Sequence, residues 1–166
     1  MEIRKATQTD LPTIVRLIDE GRKKMVAQGN IHQWIEGHPS VVQLQTDISN
    51  GHSYLVESNS LPVATFALIP GPDHTYATIY DGCWHNDRPY YVIHRIASLP
   101  DVHGVMPVVL DFAFRLTDTI RIDTHQSNVA MLAILKKQSF LYCGIIHLDD
   151  GAPRMAFMKT LQAPTP

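Results

Sequence analysis

The chain has 166 residues, 45% of them hydrophobic, which suits one domain with a core large enough to fold unaided. Fourteen basic residues against sixteen acidic ones give neither the footprint of a nucleic-acid binder nor an acidic tail, so small molecules or proteins are the expected partners. Apolar runs such as Val105 to Leu110 fall far short of the roughly 20 residues that cross a bilayer. Two separated cysteines, Cys83 and Cys143, with no signal-peptide pattern ahead of them, point to a reducing compartment, the cytoplasm.

In chain order, a short strand at Glu2 to Lys5 precedes Thr9 and Asp10, which cap a helix with Leu11, Ile14, Val15, Leu17, Ile18 and Met25 at helical period. Trp34 to Pro39 reads as a loop. A second helix starts at Ser40, carries Val41, Leu44 and Ile48 on one face, and stops at Asn50 and Gly51. Ser53 to Glu57 and Leu61 to Ile69 form a hairpin about Asn59 and Ser60. Tyr90 to Ser98 is a strand by its aromatic and β-branched content, and Pro107 to Leu116 follows as a helix with proline in its first turn. The strand–helix pattern repeats at Ile120 to Thr124 and Asn128 to Gln138. Strands Leu141 to His147 and Arg154 to Leu161 close the chain around Asp149, Asp150 and Gly151. The class is α/β with a mixed sheet, one domain over 1–161 and a loose tail over 162–166.

Several of these segments carry a resemblance. RIDTHQSNVAMLAILKKQSFLYCG, Arg121 to Gly144, resembles the second conserved block of the GNAT acetyltransferases, with Asn128, Met131, Leu135, Phe140 and Cys143 at matching intervals. YYVIHRIASLPDVHG resembles that superfamily's central strand and phosphate loop. GIIHLDDGAPRMAF and QWIEGHP, Gln33 to Pro39, resemble parts of a bacterial small-molecule-type subgroup. The resemblance implies a mixed, mostly antiparallel central sheet of about six to seven strands flanked by about four helices. It implies acetyl-CoA as co-substrate and a small-molecule amine or peptide as acceptor.

Such chemistry asks for a thioester beside an amine, a donor for the oxyanion, a base and an acid, with backbone N–H groups for the phosphates. The resemblance assigns Ile96, Ala97 and Ser98 to the pantetheine arm, and His103, Gly104, Val105 and Met106 to the pyrophosphate. In the family's loop, Gln or Arg stands first, Gly fourth and Gly or Ala sixth. Here those places hold Asp101, Gly104 and Met106. Pro107 lacks an N–H and Asp101 has the wrong charge unless Lys136 and Lys137 offset it, so altered cofactor binding is expected. Asn128 is a helix cap, a cofactor contact, or both.

His94 is the candidate base, because an imidazole titrates near neutral pH. Strand alternation puts it on the face of Val92 and Ile96, and the resemblance to arylalkylamine N-acetyltransferases favours it; a hydrogen-bonded structural histidine is the alternative. Arg95, opposite, reads as structural. The tyrosine that the family often uses as an acid is replaced by Leu135, leaving Tyr142, Cys143, His125 or water. Trp34, Tyr76, Tyr80 and Trp84, with Glu36 and Asp81, suit a cationic amine, and Trp34, Tyr80 and Trp84 are the candidate acceptor contacts. Nine histidines show no ligand spacing, so no metal is expected. A closing hairpin with Ile145 and Phe157 at its surface offers a face for a homodimer. The competing reading is a catalytically silent acyl-CoA-binding domain or a GNAT-fold interaction module.

Overall fold

The structure, a computed structural model, describes residues 1–35 and 37–161. Glu36 and the expected tail, 162–166, lie outside the described residues. Strand β1 (Glu2–Lys5) leads through a 3-10 turn into helix α1 (Leu11–Ala27), and helix α2 (Val41–Ser49) follows. Asp10 stands at the N-cap of α1, yet its carboxylate turns back to accept from the Thr7 N–H at 2.8 Å, closing a capping box around the 3-10 turn. Ser40 caps α2 as its sequence predicts, its hydroxyl accepting from the Gln43 N–H at 3.1 Å.

The hairpin of β2 (Ser53–Ser58) and β3 (Leu61–Pro70) turns on Asn59 and Ser60, at φ 50° and 61°. Two successive left-handed residues suit the strand twist. After β4 (Tyr91–Ser98) comes α3 (Val105–Ala113), which starts two residues before its expected proline. Next are β5 (Thr119–Thr124), α4 (Val129–Lys137), β6 (Leu141–His147) and β7 (Pro153–Thr160). None of the described helices is long and apolar enough to cross a membrane.

One seven-stranded sheet runs β1-β2-β3-β4-β5-β7-β6, and β4 with β5 is the parallel pair. Helices α3 and α4 cover one face, where Val109, Leu110, Ile93, Ile122 and Leu135 form the largest cluster. On the other face α1 and α2 pack Ile14, Leu17, Ile18 and Leu44 against Leu55 and Ala97. Farther along that face, Tyr76, Val92, Ile146 and Ala156 pack beneath the segment between β3 and β4.

Two irregularities open the sheet. The parallel ladder holds only at Tyr91 with Ile120 and Val92 with Arg121, so β4 and β5 splay beyond it. On the other edge of β4, Thr65 pairs with Ala97 while Ala67 pairs with His94. Two steps along β3 thus meet three along β4, a bulge with Arg95 at φ 52°. This corrects the expected alternation. His94 keeps the face of Val92, where its ring lies 6.1 Å from that of Tyr76. Ile96 instead packs with Tyr91 and Ile93 on the face of α3 and α4. The bulge turns Arg95 to Asp47 of α2, whose buried carboxylate accepts from Nε at 2.7 Å and from a terminal nitrogen at 2.9 Å.

Candidate active site

The splay creates a cleft of about 360 Å³. Ile96, Ala97 and Ser98 line it from β4, Gly21, Lys24 and Met25 from α1, and Met131, Ile134 and Lys137 from α4. Because pairing with β5 ends at Val92, the β4 backbone edge from Ile93 onward is open toward this cleft. His103, Gly104, Val105 and Met106 close one end. Gly104 is the N-cap of α3 at φ 76°, and a Cβ built there meets nothing within 4 Å. The first-turn N–H groups of Val105 and Met106 have no partner within the helix, whereas Pro107, third in the helix, contributes none.

The charges differ from the sequence expectation. Asp101 is exposed and does not line the cleft; Lys137 lines it, Lys136 does not, and Lys24 adds a cation that sequence reasoning missed. Among the described residues no carboxylate lines the cleft, and an anionic ligand fits such surroundings.

A second cavity, about 570 Å³, meets the first at Met25, Ile96, Asn128 and Met131, which line both. His94 lines it between two carboxylates. Its Nε2 is 2.9 Å from Asp73 Oδ2, and its Nδ1 is 3.8 Å from Asp123 Oδ1. Thr75 donates to Asp73 Oδ1 through its N–H at 2.9 Å and its hydroxyl at 2.7 Å. Burial alone would raise the Asp73 carboxyl, but the hydrogen bonds from His94 and Thr75 outweigh it and hold the group well below its ordinary range. An ionised Asp73 only accepts, so the His94 Nε2 facing it carries a proton. The fully buried Tyr76 donates its hydroxyl to Asp123 at 2.6 Å. Burial first, and the Asp123 charge next, push that phenol well above its ordinary value.

Asn128 is the N-cap residue of α4. Its Oδ1 caps α4 by accepting from the Met131 N–H at 3.1 Å, and the residue lines both cavities. Its Nδ2 donates at 2.9 Å to Gln33, a residue that sequence reasoning placed only within a motif. The Gln33 Oε1 also receives Asn30 at 3.0 Å and Thr124 at 3.2 Å, fastening the α1–α2 loop across the mouth of the splay.

Trp34 lines the second cavity, but Tyr80 and Trp84 do not. Tyr80 forms a bridge to Ile145 and stacks on His147, with ring centroids 4.9 Å apart. Trp84 donates to the Tyr76 carbonyl at 2.9 Å and covers the Arg121 guanidinium at 4.1 Å. These aromatics pin the β3–β4 segment to the sheet.

Leu135 is fully buried in the core. Tyr142 packs edge-on against Phe157 and Cys143 is buried, its thiol pushed up to about 11 by burial. Neither lines either cavity. His125 accepts from the Ser127 N–H at 3.0 Å and is held below its ordinary value by burial, then by Arg154 and His32. It secures its turn and also lies outside both linings. Phe157, expected at the surface, is buried. Among the described residues no cluster of three His, Cys, Asp or Glu side chains is placed to hold a metal.

No protein-family model and no curated protein matches the sequence. Solved structures do. A GNAT-family acetyltransferase from Streptococcus agalactiae 2603 is 29% identical, with a TM-score of 0.84 over 98% of this chain and 96% of its own. A GNAT-family acetyltransferase from Listeria monocytogenes 4b F2365 gives 20% identity and a TM-score of 0.71 over 96% and 94%. The NatC complex bound to Gag peptide and CoA gives 14% and 0.61 over 98% and 100%. Splayed parallel strands with a glycine-capped helix at their mouth thus define an acetyltransferase-type α/β fold. The architecture is that of the GNAT superfamily, over nearly the whole chain.

Proposed function

We propose that the protein transfers the acetyl group of acetyl-CoA directly to a primary amine of a small molecule or peptide. The observation that carries this reading is the meeting of the two cavities at Ile96 and Asn128, with His94 lining the second. The CoA-bound NatC structure shares the fold. The Val105 and Met106 N–H groups, with Lys24, Lys137 and His103, would hold the phosphates, and the open β4 edge would hold the pantetheine.

When bound, acetyl-CoA supplies an activated acyl carbon whose C–S bond breaks as the amine nitrogen bonds to it. His94 Nδ1 takes the ammonium proton, and Asp73 and Asp123 stabilise the imidazolium that results. A backbone N–H at Ile96 to Ser98 faces the developing oxyanion. Water protonates the departing thiolate, since no phenol or thiol lines the cavities beside it. The free thiols Cys83 and Cys143 go with a cytoplasmic setting.

A second reading, a silent acyl-CoA-binding domain, draws on the aliphatic Leu135 and the lost donor at Pro107. Titration calorimetry with acetyl-CoA and CoA tests the cleft, with Gly104→Glu as the blocked control. An amine screen for released CoA then separates the readings. Absence of any binding at millimolar acetyl-CoA would sink both in favour of a fold-only interaction module.

A further inference from the structure

Arg154 is 6% exposed yet lines the second cavity, the one that holds His94. A guanidinium has five N–H donors. Two of these meet backbone carbonyls, that of Pro153 at 3.0 Å and, at a long 3.4 Å, that of Gln33. Among the described residues no carboxylate lies within 4.0 Å of it. The charges of Asp123 and Asp150 act on it from beyond ion-pair contact, and burial outweighs them. A buried cation with no contact ion pair is costly in a folded chain, and an anion bound against it would offset that cost.

The strands fix where this cation sits. Asp123 of β5 pairs with Ala156 of β7, and Arg154 is two residues along on the same face, the diagonal position at roughly 7–8 Å. That face also carries His94, 3.8 Å from Asp123. Around the cavity, Arg95 is already neutralised by Asp47, and Asp150, which accepts from the Ala152 N–H at 2.9 Å, keeps its charge and attracts Arg154 from outside contact distance. The wall therefore has a negative pole at Asp73 and Asp123 beside the candidate base, and a cation at Arg154 whose charge Asp150, another lining residue, offsets in part.

We infer that the acceptor carries a carboxylate beside its amine, as a free amino acid does, with Arg154 binding the carboxylate while the amine faces His94. The inference rests on the acyltransfer reading above. A guanidinium suits the carboxylate because its planar fork bonds both oxygens, and a volume of about 570 Å³ accommodates a ligand of this size. A purely cationic amine satisfies the negative pole and is repelled by Arg154. A peptide N-terminus has no carboxylate next to its amine.

The test measures acetyl transfer by the wild-type protein to each of the common amino acids, each paired with its C-terminal amide and its decarboxylated amine. The expected result is at least one acid preferred over both counterparts by roughly tenfold or more in kcat/KM. Arg154→Gln should collapse that ratio, and Arg154→Lys should restore part of it. Amides or simple amines used as well as the acids would overturn the inference, whether or not the variants fold. If acetyl-CoA binds and no amine of any kind is acetylated, the acyltransfer reading fails instead. Calorimetric titration of the same acids and amides into the CoA-loaded protein then decides the Arg154 inference: acid-selective binding sustains it, and equal or absent binding overturns it.

Discussion

His94 owes its suitability as a base to neighbours far away in sequence. Asp73 lies 21 residues upstream and holds Nε2, and Asp123 faces Nδ1 from the adjoining strand. The histidine itself was legible as a candidate from its place on a central strand. Its partners were not, because neither aspartate belongs to a local motif and only the fold brings them together. As general acid–base catalysis contributes about 10²–10⁴-fold, His94→Gln should lower kcat by that order while the calorimetric affinity for acetyl-CoA stays within about twofold. A loss of acetyl-CoA binding in this variant would instead give the histidine a structural role. Asp73 makes a separate prediction about stability. Its pKa in the folded chain lies below the ordinary aspartate value of 3.8, so its contribution is fully present above that value and is lost as pH falls below it. Thermal melts from pH 6 down to pH 3 should show a shallower loss for Asp73→Asn than for wild type. Asp10, likewise depressed by its hydrogen bond from Arg4, preserves part of the slope in both proteins.

Among the elements, β4 decides the site. Hydrophobic period, caps and turn residues located the seven described strands and four described α-helices to within a few residues, because each buries one face against the sheet or a helix. The bulge at Arg95 escaped that reading. Register belongs to a pair of strands, and the run Val92 to Ala97 looks regular until it meets β3. Its consequence is that Ile96 faces α3 and α4 while Ala97 faces α1, closely enough that α1 tolerates only glycine at the contact. A Cβ on Gly21 would stand 2.7 Å from Ala97 Cβ and 3.3 Å from the Trp34 ring. Overpacking of this kind costs about 1–3 kcal/mol, so Gly21→Ala should be destabilised by that amount in chemical denaturation. Ala97→Gly removes the atom struck, and the double variant should therefore be more stable than the sum of the two single effects. Strict additivity would mean that α1 shifts without resistance.

At the scale of the whole molecule, the two cavities are sorted by charge, cationic where phosphates would lie and anionic beside the base. This sorting is invisible in a net charge of −2. Asp101 read as an obstacle because it is close to Gly104 in sequence, but it lies outside the cleft lining. Lys24 passed unnoticed because α1 is far in sequence from the loop it serves. Cofactor binding should therefore be electrostatic and unhindered by Asp101. Ligand at 100 times its Kd adds about 2.7 kcal/mol of stability, and about 2–4 °C follows per kcal/mol for a chain of this size. Acetyl-CoA should accordingly raise Tm by roughly 5–11 °C at low salt, and less as salt rises, since screening weakens the lysine contacts. Lys24→Glu combined with Lys137→Glu should abolish most of that shift, whereas Asp101→Asn should change it little. A strong gain in the Asp101 variant with no loss in the lysine variant would return the phosphate site to the loop alone and remove α1 and α4 from it.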